Sequence, residues 1–99
     1  MTYTVRYTRA ARDDLIRLFQ FQLERDLQVA ERAVEAIREG IGVLKNFPFT
    51  CRKADEKNPF LRELLVSFGT SGYVVLFEID DDTAVSILAI RHQLEEDYH

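Results

Sequence analysis

Cysteine and histidine are the scarcest chemistry in this chain: Cys51 stands alone, and His92 and His99 are the only histidines. A single cysteine cannot form an intramolecular disulfide, and cysteine-based zinc sites need several thiolates. No metal or cofactor site is therefore expected. Also missing is any run of about 18 uncharged apolar residues, which speaks against a membrane-spanning helix. The opening Met1-Thr2-Tyr3-Thr4-Val5-Arg6 lacks the apolar stretch of a secretory leader. These absences point to the cytoplasm and away from a membrane partner. Positive charge is in short supply as well, with 13 Lys and Arg against 17 Asp and Glu for a net charge of −4. Non-specific affinity for nucleic acids comes mainly from cations that neutralise phosphates, so strong autonomous binding to RNA or DNA is not expected.

What is present suits one domain. At 99 residues and 46% hydrophobic composition, the chain can bury one core and not two. Residues 3–7 are mostly β-branched or aromatic and read as a first strand. Thr8 is placed to cap a helix, with Asp13 and Asp14 early in it, where the helix dipole favours negative charge. Ala11, Leu15, Leu18, Phe19 and Leu23 then form one apolar stripe, and Phe21 falls off it and needs another contact. A second stripe of Ala30, Ala33, Val34, Ile37, Ile41 and Leu44 follows, with Asp26 as its cap and Pro48 barring its extension. The short link between the stripes predicts an antiparallel helical hairpin.

Residues 48–59 hold turn-formers and charges without a period and read as a loop. Residues 60–68, 73–80 and 83–92 read as three strands joined by Gly69-Thr70-Ser71-Gly72 and by Asp80-Asp81-Asp82, hence a meander. The order β-α-α-β-β-β gives an α+β domain over residues 1–99, with the hairpin packed on one face of a mainly antiparallel sheet. Leu64-Leu65-Val66, Val74-Val75-Leu76-Phe77 and Ile87-Leu88-Ala89-Ile90 are apolar on both faces, and one hairpin covers only one. Strand ends and loops can cover the second face, but the balance favours a partner protein, because large apolar patches seldom remain in water.

Tyr7-Thr8, Ala11, Asp14-Leu15, Phe47-Pro48, Leu61-Arg62-Glu63-Leu64, Gly72-Tyr73-Val74-Val75 and the closing Val85-x-Ile87-Leu88-x-Ile90-Arg91-His92 resemble, in this order, the RelE/ParE toxin superfamily of type II toxin–antitoxin systems. The resemblance spans almost the whole chain and is closest to the ParE-like branch. It implies a growth-arresting toxin held inactive in a hetero-oligomer by a cognate antitoxin, which would cover the second sheet face through a helix or an added strand.

The branches of that superfamily differ in chemistry. RelE-like toxins cleave mRNA on the ribosome, which requires a base, cations for the phosphorane charge and an acid for the leaving oxygen. ParE-like toxins share the fold, lack that set and inhibit DNA gyrase. After Gly72-Tyr73 the nuclease branch usually carries an arginine, where this chain has Val74, and on the preceding strand Glu63 would repel RNA. Gyrase is thus the expected target, with no catalytic residue. The alternative, a ribosome-dependent endoribonuclease, would use His92, Tyr98 and Arg62. His92, on the face of Leu88 and Ile90, otherwise reads as a strand-end histidine bonded to backbone. Arg62, on the face of Leu64, Val66 and Phe68, reads first as structural, its guanidinium held by a carboxylate or carbonyls. Arg91, Phe21, Tyr73 and Tyr98 are the candidate partner contacts, and Cys51 has no motif to activate it.

Overall fold

The computed structural model describes residues 2–94, which form β1 (Thr4–Tyr7), α1 (Arg9–Leu23), α2 (Leu27–Gly42), β2 (Arg52–Asp55), β3 (Asn58–Phe68), β4 (Ser71–Ile79) and β5 (Ala84–His92). Both helix starts follow from side-chain caps. Thr8 Oγ1 accepts from the Ala11 amide at 3.2 Å, and Asp26 Oδ1 accepts from the Gln28 and Val29 amides at 2.7 and 3.3 Å. Each cap satisfies amides that the first helical turn leaves without a partner. The helix α2 does not run to Pro48. It ends at Gly42 and tightens into a 3-10 turn, Val43–Lys45, and Pro48 instead opens a second one, Pro48–Thr50.

The sheet order is β1-β5-β4-β3-β2, with β1 parallel to β5 and the other pairs antiparallel. The hairpin lies on one face, α1 over β5 and α2 over β3. Between them the core gathers Ala11, Leu18, Ala33, Ile37 and Ile41 from the helices with Val66, Tyr73, Val75, Phe77, Ile87 and Ile90 from the strands. Gly40 sits where α2 touches the sheet: a Cβ there would stand 2.8 Å from Val66 Cγ2.

Two sequence expectations need correction. The loop predicted for residues 48–59 contains the edge strand β2, paired with β3 through Arg52 opposite Glu63 and Lys53 opposite Arg62. All four β2 side chains are exposed, so the strand exists through backbone pairing and carries no alternating apolar signal. The second correction concerns β5. Opposite Leu76 and Phe77 stand Ala89 and Ile87, so Leu88 is an extra residue, a bulge. The bulge turns both Ile87 and Ile90 into the core, which simple alternation along the strand does not allow.

Beyond the end of β1, the chain supplies other partners for β5. The Thr8 amide and hydroxyl both donate to the Ile87 carbonyl, at 3.1 and 2.7 Å. Asp14, only 6% exposed, accepts from the Ile90 amide through Oδ2 at 2.9 Å, with Arg17 3.7 Å from Oδ1. Asp14 is thus a tie between helix and sheet; α1 starts at Arg9 and has no acidic residue in its first turn, so neither Asp13 nor Asp14 sits where the helix dipole acts.

Candidate partner-binding site

The turn between β3 and β4 exists because of its glycines. Gly69 has φ of +63°, a left-handed conformation that side chains resist. A Cβ on Gly72 would lie 2.0 Å from the Val66 carbonyl oxygen, so only glycine lets β3 and β4 close there. This turn forms one bank of a groove of about 810 Å³, whose other bank is the second half of α1. Phe21, Arg17 and Arg25 line it from the helix, and Phe68, Tyr73 and His92 line it from the sheet.

Phe21, off the apolar stripe, is 55% exposed at the groove, with the Arg25 guanidinium 5.2 Å from its ring centre. Tyr73, expected as a partner contact, is only 1% exposed. It is a core residue that floors the groove, packed 6.1 Å from Phe68 and edge-to-face at 5.5 Å against His92, with its hydroxyl accepting from Gln22 Nε2 at 3.3 Å. His92 lies 3.0 Å from Ser71 Oγ through Nε2, and its Nδ1 accepts from the Leu94 amide at 3.2 Å. Because Nδ1 is an acceptor, the proton sits on Nε2 and is donated to Ser71. In that tautomer Nε2 cannot take a proton from the serine, so the pair is not arranged as a nucleophile and its base.

Arg62 and His92, two of the residues set aside for a nuclease, do not converge. Arg62 stands opposite Phe77 and His92 opposite Tyr73, on strands that flank β4 on either side. With about 3.3 Å per residue and about 4.8 Å per strand, they are roughly 16 Å apart. Arg62 is committed locally: it donates to the Pro59, Phe49 and Cys51 carbonyls at 2.7, 3.2 and 2.7 Å and lies 5.3 Å from the centre of the Phe49 ring. It ties the 3-10 turn and β2 to the sheet. Burial pushes the Cys51 thiol up, Arg62 and Thr50 opposing, which works against a reactive thiolate. Tyr98 lies outside the described residues.

On the sheet face away from the helices, Val74 is 2% exposed, with Leu65 and Arg91 opposite it on the flanking strands. Leu65 is 50% exposed, and Glu63 holds Arg52 Nε at 3.0 Å. Arg91 donates to the His92 and Gln93 carbonyls at 3.3 and 3.5 Å. The face is therefore apolar at its middle strand, with the Glu63–Arg52 pair on one side and Arg91 on the other. Among the described residues no group of three or more His, Cys, Asp or Glu side chains could hold a metal ion, and no helix is long and apolar enough to cross a membrane.

The family described as the ParE toxin of the type II toxin–antitoxin system parDE matches residues 5–97. The chain belongs to the ParE toxin family. Among its relatives, the toxin RelE3 of Caulobacter vibrioides is 39% identical over 85 residues, 86% of this chain and 88% of that one. The toxin RelE1 of the same organism is 30% identical over 96 residues, 97% and 99% of the two chains. A chain of the RelBE2 toxin–antitoxin complex of Mycobacterium tuberculosis superposes with a TM-score of 0.64 at 30% identity, covering 94% of this chain and all (100%) of that one. A chain of the chromosomal ParDE system of P. aeruginosa gives 0.72 at 18% identity over 92% and 96%, a likeness of fold. The chain is thus a toxin of a type II toxin–antitoxin system, and its α+β fold of two helices on a mixed five-stranded sheet is that of the ParE and RelE toxins.

Sequence reasoning did not find Asp14, Gln22 or Ser71 as organising residues. Gln22 sits between polar neighbours on a helix, and Ser71 in a glycine turn, so neither carried a signal beyond solvation. Asp14 did carry one, since it breaks the apolar face that Ala11 and Leu18 define.

Proposed function

We propose that this toxin arrests growth by binding DNA gyrase and stalling it on cleaved DNA, and that its cognate antitoxin prevents this by covering the toxin. The observation that carries the reading is Val74. It occupies the place where the nuclease branch usually has an arginine, and it is buried between Leu65 and Arg91. A valine there offers nothing to a pentavalent phosphate, and catalysis of phosphate cleavage depends on cations placed where charge develops. The Glu63–Arg52 pair neutralises one cation of that face, and Arg91, opposite Val74, donates to the His92 and Gln93 carbonyls. The separation of Arg62 from His92 also favours a mechanism without RNA chemistry.

The second reading, ribosome-dependent mRNA cleavage, is favoured by the names of the two Caulobacter relatives and by Arg91 on the outer face. Plasmid supercoiling by purified gyrase separates the two. Micromolar toxin is expected to block supercoiling and leave linear, enzyme-linked DNA, and addition of antitoxin is expected to restore activity. Full supercoiling with no trapped cleavage at that concentration would overturn the gyrase reading.

A further inference from the structure

At the end of the sheet away from the groove, a cleft of about 490 Å³ opens beside the start of β3 and the β4–β5 turn. One wall is aromatic. Phe49 and Phe60 meet edge to face, centroids 6.3 Å apart at 73°, yet remain 48% and 50% exposed, and Tyr3 stands with them. The other wall is acidic, built from Glu78, Asp80, Asp81 and Asp82.

These carboxylates are not equivalent. Asp80 is engaged by the Ser86 hydroxyl at 2.6 Å and Arg6 at 3.6 Å. Asp81 Oδ1 accepts from the Thr83 hydroxyl and amide, both at 2.7 Å, and these bonds hold its carboxyl below the ordinary value. Glu78 and Asp82 carry no ion pair among the described residues.

Half-exposed rings facing carboxylates restrict what can fill the cleft. An anion is repelled, and a wholly apolar group would strip water from the acids without replacing it. The carboxylates do not converge as a metal site. A side chain with an apolar stem and a cationic head satisfies both walls, the stem and charge lying against the rings while the head pairs with the acids. Arg62 already places its guanidinium on Phe49, so a ring of this cleft accepts that chemistry within the fold.

We infer that the cleft receives an arginine or lysine side chain from a basic segment of a protein partner. The inference is independent of the choice between gyrase and ribosome, because none of the residues lining the cleft is among those on which that choice rests.

The test is amide chemical-shift titration of the full-length toxin with the peptide acetyl-Leu-Arg-Leu-amide. The same peptide with citrulline, which keeps the shape and loses the charge, is the control. Saturable shifts are expected at Phe60 and residues 78–82, with at least a fivefold weaker affinity for the citrulline peptide. Asp82→Asn combined with Glu78→Gln is expected to weaken arginine binding at least threefold, and Phe60→Leu to do so separately. These positions are half-buried or exposed, so the variants should fold, which the undisturbed remainder of the spectrum reports. Equal affinity for the two peptides, shifts confined to the groove around residues 69–73, or no saturable shift would each overturn the inference.

Discussion

Replacing Asp14 by alanine tests the tie between the helical layer and the sheet. The Ile90 amide is fully buried and donates to Asp14 Oδ2 at 2.9 Å, at a point where β1 has ended and offers β5 no acceptor. In the alanine variant that amide has lost this acceptor, a loss of about 1–3 kcal/mol for a buried donor, towards the upper end when the acceptor is charged. Arg17, 3.7 Å from the other oxygen, loses its carboxylate too. Relief of the desolvated carboxylate offsets part of this. A net loss of about 2–3 kcal/mol follows, which in a domain of this size lowers Tm by roughly 10–20 °C. Asp14→Asn keeps an acceptor and should cost about half as much. Urea and thermal unfolding of the free toxin measure both, free because bound antitoxin would raise apparent stability. Two variants within about 0.5 kcal/mol of the parent would refute the tie, since that is the range of surface changes unconnected to structure. Asparagine as harmful as alanine would show that charge, rather than the acceptor, is what the site needs.

Other perturbations have equally definite outcomes. Gly72→Ala drives a Cβ into the Val66 carbonyl and is expected to cost more than about 3 kcal/mol or to abolish soluble protein, read by yield and denaturation. Arg62→Ala should lower stability by about 1–2 kcal/mol and speed hydrogen exchange in β2, and lysine should not restore it, because one ammonium cannot span three carbonyls. His92→Ala and Tyr98→Phe are expected to leave growth arrest intact when the toxin is expressed without antitoxin; loss of arrest with the fold preserved would favour RNA cleavage. Burial raises the Tyr7 hydroxyl above its ordinary 10.0, Arg38 opposing, so the folded state favours the neutral phenol. That contribution is complete below the unfolded value and is lost as pH climbs through the folded one, so Tyr7→Phe should flatten the alkaline fall in stability.

The helical hairpin and the three-strand meander were legible because their side chains alternate between core and water at 3.6 and 2 residues. Thr8 and Asp26 were legible as caps for a chemical reason, a short oxygen-bearing side chain just before an apolar stripe. The strand β2 was not, since Arg52-Lys53-Ala54-Asp55 faces water throughout and only β3 makes it a strand. The bulge at Leu88 shifts the face of everything before it on β5, and nothing in a run of apolar residues marks where such a shift falls. Of the candidate site, Phe21 announced itself by missing its stripe and does line the groove. Tyr73 did not reveal its burial, because a strand tyrosine can sit on either face and the deciding neighbours, Gln22, Phe68 and His92, come from three different elements. Arg62 could be assigned its face by alternation, but the carbonyls that hold it belong to turns that have no pattern.

The most direct test of the gyrase account is to induce the toxin without antitoxin and divide one culture between two readouts, DNA covalently trapped by gyrase and new 5′ ends on translated mRNA. The account predicts that trapped gyrase–DNA rises within one generation while mRNA ends stay at background. New mRNA ends appearing before any trapped gyrase would contradict it.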